Sequence, residues 1–263
     1  MKIIVCVKQV PDTSEVKIDN KKGTLIRDGV QSILNPYDAT ALEEALKIKD
    51  KYSDTTVTVI TMGPPQAKEI LQECIAMGAD DAVLLSDRAL GGSDTWATSN
   101  ALSAGIKKLG EYSIIFTGQQ SIDGETAQVG PQLAEKLGLP QVTYVTEFEL
   151  LDDKLLKLKR ELDNGYEIIK IKMPCVISTM KELNIPRYMS VKGILKGANF
   201  DIKTYNSADI GVDLTSVGLE ASPTKVSKTF VSIQTSKGIM IKGDTPEELA
   251  ENLLKKLRAT HVI

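Results

Sequence analysis

Thr-Gly-Gln-Gln-Ser-Ile-Asp-Gly-Glu-Thr-Ala-Gln is the sequence of residues 117–128, which directly follow the apolar run Ile114-Ile115-Phe116. A buried strand that leads through a polar, glycine-containing turn into a helical pattern is typical of an α/β fold. Such a turn can direct backbone N–H groups and a helix N-terminus at an anion. Residues 117–135 contain no Lys or Arg. We therefore expect amides, hydroxyls and Gln side chains, rather than a fixed cation, to bind a nucleotide phosphate here.

The loop alone leaves two interpretations open. It matches neither a Walker A loop nor the Gly-x-Gly-x-x-Gly fingerprint, so a plain surface connection is as well supported as a nucleotide site. A second glycine cluster, Gly91-Gly92-Ser93-Asp94-Thr95, shares letters with pyrophosphatase-type loops. There, capping of the following helix by Ser93 or Asp94 is the simpler interpretation.

The composition excludes several classes of function. The chain has 263 residues, a net charge of −3 and scattered Lys and Arg residues, which argues against a nucleic-acid partner. No apolar run is long enough to span a membrane and no leader precedes the first strand-like run, so we expect a cytoplasmic protein. Cys6, Cys74 and Cys175 lie far apart in apolar contexts and should remain reduced. Since His261 is the one histidine, we predict no metal site and no histidine-based catalysis, and we assign no catalytic residue.

The first half of the chain alternates short β-branched runs with longer helical patterns, which predicts a mostly parallel sheet with helices on both faces. We expect strands at residues 3–8, 56–61, 82–85 and 113–117, and helices at residues 36–51, 64–77, about 94–109 and about 124–137. In such a sheet the loops at the carboxyl ends of the strands share one crevice. The strand ends at Lys8, Met62, Leu85 and Thr117 should therefore meet.

The second half of the chain predicts consecutive strands and then a tail. The strands are expected at residues 142–151, 155–161, 166–172 and 175–178. Asn164-Gly165 between two of them indicates a hairpin with a type I′ turn, so we expect an antiparallel extension of the sheet. In the tail, 245–248 reads as a capping box before a helix whose apolar face carries Leu249, Leu253, Leu254 and Leu257. A long irregular stretch precedes this helix, which favours a tail that lies on a partner.

Several blocks, in order along the chain, resemble the β subunit of electron transfer flavoproteins. The signature hairpin of that family is similar to Lys-Arg-Glu-Leu-Asp-Asn-Gly-Tyr-Glu at 159–167. Further similar blocks lie at 7–12, 35–38, 76–80, 172–178, 183–188 and 211–214. The resemblance runs nearly end to end. It implies a Rossmann-like α/β fold of the adenine-nucleotide α-hydrolase type, with a mostly parallel sheet, an antiparallel hairpin extension and a C-terminal arm.

The same resemblance implies an organisation and a function. Residues 1–225 would form the nucleotide-binding domain, including a partner-recognition loop at 186–197, and residues 226–263 an arm that docks on the α subunit of a heterodimer. Residues 10–13, 35–40 and 123–130 are most similar to the electron-bifurcating branch of the family. In that branch the β subunit binds FAD and accepts a hydride from NADH. One electron then goes to ferredoxin or flavodoxin, and the other goes through the α-subunit FAD to an acyl-CoA-dehydrogenase-type partner.

Two alternatives remain beside this function. The first is a conventional electron transfer flavoprotein β subunit, which binds a structural AMP in place of FAD. The second is a stand-alone ATP-binding α/β protein, against which the position of the Gly91–Asp94 cluster and the missing cation in the 117–128 loop both argue. Counting the flavins bound per heterodimer would separate FAD from AMP.

Site residues follow from the matching positions. Those that would hold the cofactor are Cys6, Asn35, Pro36, Tyr37, Asp38, Met62, Gly118, Gln119, Gln120, Asp123, Gly124, Glu125, Thr126, Ala127, Gln128 and Val129. Of these, Gly124 to Val129 would face the pyrophosphate, and Cys6 and Met62 would border adenine and ribose. The shared crevice adds Asp94 and Thr95. The residues that would bind the dehydrogenase partner are Arg187, Tyr188, Val191, Ile194 and Leu195.

Overall fold

The computed structural model describes residues 1–12, 17–19, 24–26, 31–152, 154–227 and 238–263, with the backbone alone described at 17–19 and 24–26. The strands in these parts of the chain are β1 (Lys2–Cys6), β2 (Gln9–Pro11), β3 (Lys17–Asp19), β4 (Thr24–Ile26), β5 (Ser32–Leu34), β6 (Thr56–Met62), β7 (Asp81–Leu85), β8 (Ile114–Gly118), β9 (Gln141–Asp152), β10 (Leu155–Leu162), β11 (Gly165–Lys172), β12 (Cys175–Thr179) and β13 (Lys203–Tyr205). The α-helices are α1 (Pro36–Lys51), α2 (Lys68–Met77), α3 (Thr95–Leu109), α4 (Val129–Leu137), α5 (Val191–Ala198), α6 (Gly218–Ala221) and α7 (Pro246–Ala259). Single 3-10 turns lie at Pro65–Ala67, Arg88–Leu90, Lys181–Leu183 and Leu214–Ser216.

The described strands build one large sheet and two small antiparallel pairs, β2–β5 and β3–β4. The large sheet has nine strands in the order β11-β10-β9-β12-β8-β1-β6-β7-β13. Every neighbouring pair from β9 to β13 in this order is parallel, whereas β9, β10 and β11 pair antiparallel. The predicted α/β fold, with a mostly parallel sheet and an antiparallel hairpin extension, is therefore confirmed.

Both faces of the parallel strands are buried under helices. Alternate residues of β1 divide between two apolar clusters. Ile3 packs with the side chains of α1 and α2, and Ile4 packs with those of α3 and α4. Because a strand covered on both faces must be apolar throughout, the runs at 3–7 and 114–116 contain only apolar residues. Because helices cover both faces of these strands, polar residues are accommodated at the ends of the strands.

Two local predictions need correction. The helix expected from about residue 124 begins at Val129, because Glu125 and Ala127 take positive φ angles of 52° and 54° and keep the preceding loop out of helical conformation. The predicted hairpin is present, but its predicted type I′ turn is wrong. Leu162 pairs with Gly165, so the turn residues are Asp163 and Asn164, and Asn164 does not have a positive φ.

The chain divides into two compact units, residues 1–228 and residues 229–263. In the second unit the hydroxyl of Thr245 accepts a hydrogen bond from the N–H of Glu248 at 3.2 Å, as the capping box predicts. The carboxylate of Glu248 accepts from the N–H of Asp244, one residue before the expected donor. Leu249, Leu253 and Leu254 of α7 are exposed. Across the described residues, no helix combines the length and the apolar character needed to cross a membrane.

Candidate nucleotide-binding site

A cavity of about 270 Å³ opens at the carboxyl ends of β1, β6 and β8. A larger and shallower depression of about 840 Å³ lies at the opposite, amino-terminal ends of the strands, around Met1, Thr56 and Ser113. Ligands of open α/β sheets bind beyond the carboxyl ends of the strands, so the smaller cavity is the candidate site.

The structure brings most of the predicted cofactor residues together at this cavity. Those that line it are Cys6, Asn35, Asp38, Met62, Asp94, Thr95, Gly118, Gln119, Gln120, Gly124, Thr126, Ala127, Gln128 and Val129. Four predicted residues, Pro36, Tyr37, Asp123 and Glu125, are not part of the lining. The ring of Tyr37 instead lies under the ammonium group of Lys181, with Nζ 4.6 Å from the ring centroid.

Further lining residues were not among the predicted ligands: Val7, Lys8, Ser93, Thr98, Leu102, Thr117, Ser121 and Gly130. Lys8 and Thr117 had a sequence signal, since both mark strand ends expected at the common crevice. Leu85, a third strand end expected there, does not line the cavity. Its side chain is fully buried below α3, where a Cβ atom on Gly105 would lie 2.8 Å from Leu85 Cδ1.

The carboxylate of Asp38 joins three parts of the site. Its oxygens accept hydrogen bonds from the backbone N–H of Lys8 at 2.8 Å and of Gly118 at 3.0 Å. Burial raises the pKa of Asp38 to about 7, although these two hydrogen bonds act in the opposite direction. The first turn of α1 is thereby attached to the ends of β1 and β8, which form neighbouring walls of the cavity.

Gly118 allows this attachment because the backbone of α1 passes very close to it. A Cβ atom at residue 118 would lie 2.6 Å from Cβ of Tyr37 and 2.8 Å from its carbonyl carbon. Asn35 adds a second link, since its Nδ2 donates to the carbonyl oxygen of Gln120 at 2.9 Å and its Oδ1 accepts from the N–H of Ile122 at 3.3 Å. Asn35 therefore holds the loop after β8 and does not cap α1 through its side chain.

The loop between β8 and α4 presents unpaired amides to the cavity. Positive φ angles at Glu125 and Ala127 alternate with a negative one, −105°, at Gln128. Alternation of this kind makes successive N–H groups converge into an anion-binding concavity. In the hydrogen bonds among the described residues, the N–H groups of residues 126–129 have no acceptor. The N-terminus of α4 adds the positive end of its dipole at the same place.

Two buried side-chain atoms of the lining also lack partners within the described chain, although Gln119 Oε1 accepts from the N–H of Tyr144 at 3.0 Å. Thr117 Oγ1 and Gln119 Nε2 have no hydrogen bond, although both residues are only 4% exposed. Native structures rarely leave buried polar atoms unpaired. Gly130 brings α4 close to this hydroxyl, since a Cβ atom there would lie 2.8 Å from Thr117 Oγ1. Unpaired amides and hydroxyls together suit a ligand that carries both an anion and hydroxyl groups, as a nucleotide does.

Lys8 corrects the expectation that the site lacks a fixed cation. It lies outside residues 117–135 in sequence, but its Nζ is 2.7 Å and 2.8 Å from the two carboxylate oxygens of Asp123. Ser121 Oγ accepts a further, weaker hydrogen bond from the same ammonium at 3.3 Å. The parallel pairing of β1 with β8 places the two loops side by side.

The remaining titratable residues of the lining have structural roles. Burial, with the nearby charge of Asp38, raises the pKa of the Cys6 thiol well above its usual value, so Cys6 stays neutral. Asp94 caps α3 by accepting from the N–H of Ala97, and it also accepts from the N–H and the hydroxyl of Thr224 at 3.0 Å and 2.8 Å. Within the described residues, no group of three or more His, Cys, Asp or Glu side chains is placed to hold a metal ion.

The predicted partner-binding residues lie away from the cavity. Arg187 faces inward, because its Nε and Nη2 donate to the two oxygens of buried Glu43 at 2.8 Å and 3.0 Å, and Nη2 also donates to Asp50 at 2.8 Å. Tyr188 is 99% exposed, and Val191 and Leu195 are also exposed. Arg187 thus anchors the loop on α1, and the apolar residues beside it face solvent.

Two glycines explain why α5 exposes an apolar face. A Cβ atom on Gly193 would collide with the carbonyl oxygen of Ala76, and one on Gly197 with that of Gln72. These glycines, four residues apart, let α5 pack directly on the backbone of α2. Ile194 and Leu195 lie between them in sequence and remain exposed. Together with Tyr188 and Val191 they form what we call the apolar loop surface.

Comparison with known proteins adds independent findings. The electron transfer flavoprotein domain family matches residues 22–210 of the chain. The chain is 54% identical over 263 residues to the caffeyl-CoA reductase-Etf complex subunit CarD of Acetobacterium woodii, with all of both chains covered. It is 53% identical over 264 residues to the electron transfer flavoprotein subunit beta of Clostridium acetobutylicum, again with all of both chains covered. A third relative, 46% identical over 271 residues and fully covered, is the acryloyl-CoA reductase electron transfer subunit gamma of Anaerotignum propionicum.

Proposed function

This chain belongs to the electron transfer flavoprotein family, among relatives of its β subunit, and on that premise we propose that its cavity binds FAD in an electron-bifurcating heterodimer. Bound FAD would supply the chemistry, which is hydride acceptance from NADH and delivery of single electrons to ferredoxin or flavodoxin and, through the α-subunit FAD, to an acyl-CoA-dehydrogenase-type partner. The observation that carries the proposal is the set of unpaired N–H groups at residues 126–129, which lead into the N-terminus of α4.

The residues of this chain would bind and orient the cofactor. The amides of residues 126–129 would donate to the diphosphate, where the α4 dipole also favours negative charge. The buried hydroxyl of Thr117 and the amide group of Gln119 offer further donors to polar atoms of the ligand. Asp38 and Asn35 hold the walls together through backbone groups, so the donors are preorganised before the cofactor enters.

Protein nucleophiles have no part in this proposal. The thiol of Cys6 borders the cavity but is kept protonated by burial. Asp94 is engaged as a helix cap. An apolar thiol and backbone donors suit a site that holds a redox cofactor and leaves the bond chemistry to it.

One observation favours AMP as the alternative ligand. The cavity is open to solvent, and its volume of about 270 Å³ is below the range of about 300–1,000 Å³ that is usual for drug-sized ligands. AMP could occupy it alone, whereas FAD would have to extend beyond it. The third candidate, a stand-alone ATP-binding protein, gains no support, because the relatives reported above are named as subunits over their full length.

Two surfaces would serve the partners. We assign the apolar loop surface, which lies within the loop at 186–197, to the acyl-CoA-dehydrogenase-type partner. This agrees with relatives that are named as parts of CoA-reductase systems. We assign residues 226–263 to docking on the α subunit, since Leu249, Leu253 and Leu254 of α7 are exposed in this chain. The nucleotide-binding domain would then be residues 1–225. A cytoplasmic location fits three free, buried cysteines and a donor such as NADH.

Coexpression of the chain with its α subunit tests the function directly. The complex is purified, its nucleotides are released by heat or acid, and FAD and AMP are quantified per heterodimer. Two FAD per heterodimer are expected for the bifurcating subunit. One FAD and one AMP would contradict bifurcation and identify the conventional carrier, and a chain that copurifies with neither FAD nor AMP would contradict both.

A further inference from the structure

The lining of the cavity has an unfavourable charge balance for an anionic ligand. Among the side chains that line it, Asp38 and Asp94 are acidic, and Lys8 alone carries a fixed positive charge. A diphosphate brings additional negative charge next to Asp94 and next to Asp38, which is only partly ionised at neutral pH because burial raises its pKa to about 7. Amide dipoles offset part of this repulsion, but a full cation at short range offsets more. Among the described residues, Lys8 is therefore the one lining side chain whose fixed charge opposes this repulsion.

The structure holds the ammonium group of Lys8 in a defined position. The backbone of Lys8 is attached on both sides, because its N–H donates to Asp38 and its carbonyl oxygen accepts from the N–H of Asn35 at 3.0 Å. Its Nζ is bound by both oxygens of Asp123, with Ser121 Oγ as a further contact. Lys8 and Ser121 line the cavity, whereas Asp123 does not. The carboxylate thus supports the ammonium from outside the lining.

We propose that Lys8 binds the phosphoryl group of the nucleotide, and that Asp123 is a positioning residue that keeps the Lys8 ammonium at the cavity wall. This inference rests on the proposed function, because it assigns a role toward the same nucleotide. The phosphoryl group would then be bound by a fixed cation in addition to the amides of residues 126–129. Charge-assisted hydrogen bonds to phosphate are about twice as strong as neutral ones. Partial burial acts to raise the pKa of Asp123, but the hydrogen bond and the charge of Lys8 hold this pKa below its usual value. The carboxylate of Asp123 therefore stays ionised.

Titration calorimetry of the full chain with ADP and with adenosine measures this role. The two probes share the nucleoside and differ in the diphosphate. Lys8→Met keeps the length of the side chain and removes the charge. We expect its affinity for ADP to fall roughly ten-fold, which is about 1.4 kcal/mol, while its affinity for adenosine changes less than about two-fold.

A matched control removes a lysine whose ion pair lies elsewhere. Lys157 pairs with Glu149 at 3.0 Å on the antiparallel hairpin, and both side chains are largely exposed. Lys157→Met should bind ADP and adenosine as the unchanged chain does. Lys8→Arg, which keeps the charge, should retain most of the preference for ADP over adenosine.

Asp123→Asn tests whether the ion pair between Lys8 and Asp123 serves phosphate binding or only holds the two loops together. If the ion pair only fastens the loops, Lys8→Met and Asp123→Asn should weaken ADP and adenosine to the same extent, and this result would overturn the proposal. If Lys8 contacts phosphate and Asp123 positions its ammonium, Asp123→Asn should lower the ratio of ADP to adenosine affinity, but by less than Lys8→Met does, because the cation itself is kept. A ratio unchanged in Asp123→Asn would overturn the positioning role. An unchanged ratio in Lys8→Met would also overturn the proposal. If the unchanged chain binds neither ADP nor FAD, the proposed function fails as well.

Discussion

The carboxylate of Asp38 and the backbone N–H of Gly118 are 3.0 Å apart, and this hydrogen bond joins the first turn of α1 to the end of β8 across 80 residues of sequence. The other oxygen of Asp38 accepts from Lys8 at 2.8 Å. One buried side chain therefore fixes the spacing of the strand ends that border the cavity. A change at Asp38 or Gly118 should affect stability and nucleotide binding together.

The pH dependence of stability tests the state of Asp38. Burial raises its pKa in the folded chain to about 7, whereas an Asp in an unfolded chain has a pKa of about 3.9. At a pH between these two pKa values, the folded state binds more protons than the unfolded state. The contribution of Asp38 to the free energy of unfolding is thus complete below about pH 4, declines as the pH rises, and is lost above about pH 7. Urea unfolding from pH 4 to 8 should show this decline in the unchanged chain and not in Asp38→Asn. A pH-independent difference between the two chains would contradict it.

Gly118→Ala should destabilise the fold, because the added methyl group meets Tyr37 at 2.6 Å and the helix backbone at 2.8 Å. We expect a loss of about 1–3 kcal/mol in the free energy of unfolding, as for overpacking in a tight core. Gly124→Ala in the same loop is the control. Its Cβ would have one neighbour, Ser121 Oγ, at an ordinary 3.4 Å. Denaturant titration of both variants checks the contrast, and equal stabilities would contradict the assigned role of Gly118.

Thr117→Val tests whether the unpaired buried hydroxyl contacts the ligand. The substitution keeps the shape and removes Oγ1, which has no partner among the described residues. We expect affinity for the nucleotide to fall roughly three-fold to ten-fold, while stability is unchanged or slightly increased, since an unsatisfied buried group is lost.

Ser178→Ala is the control for that experiment. Ser178 Oγ is also buried and unpaired, but Ser178 does not line the cavity. This variant should leave nucleotide affinity unchanged. Calorimetry and thermal melting of the two variants separate a ligand contact from a general effect of removing a hydroxyl. Equal affinities in Thr117→Val and Ser178→Ala would argue against a contact at Thr117.

Arg187 and Tyr188 are adjacent but should respond differently to truncation. Arg187→Ala leaves the buried carboxylate of Glu43 without its bidentate partner, so we expect a loss of about 1–3 kcal/mol of stability. Tyr188 is 99% exposed, and Tyr188→Ala should change stability by less than about 0.5 kcal/mol. It should instead slow electron transfer to the acyl-CoA-dehydrogenase-type partner, measured with the assembled heterodimer. A normal transfer rate in Tyr188→Ala would remove it from the partner surface.

Much of the fold follows from periodicity. Helix α1 begins at Pro36 and ends at Lys51 as predicted, because Pro36 is suited to the first helical position and the apolar face continues to the end. The strands at the start of the chain and before the 117–128 loop could be recognised as buried parallel strands, since the runs at 3–7 and 114–116 are apolar throughout. The loop at 117–128 was also identified from its position between a strand and a helix. The start of α4 was missed because two residues other than glycine, Glu125 and Ala127, take positive φ angles, and no rule of local sequence predicts this.

Local order along the chain was thus enough to predict the α/β class, most strand and helix positions and the loop that leads into α4. The reason is that these features depend on the period of apolar residues and on glycine and proline, which act over a few neighbouring residues. The cation of the cavity depended on folding, because Lys8 and Asp123 are 115 residues apart and meet only when β1 pairs with β8. In the same way, the sequence could not show that Asn35 reaches a loop 85 residues away or that Arg187 turns toward Glu43. Contacts between distant residues are set by how the elements pack, and no pattern within either segment encodes them.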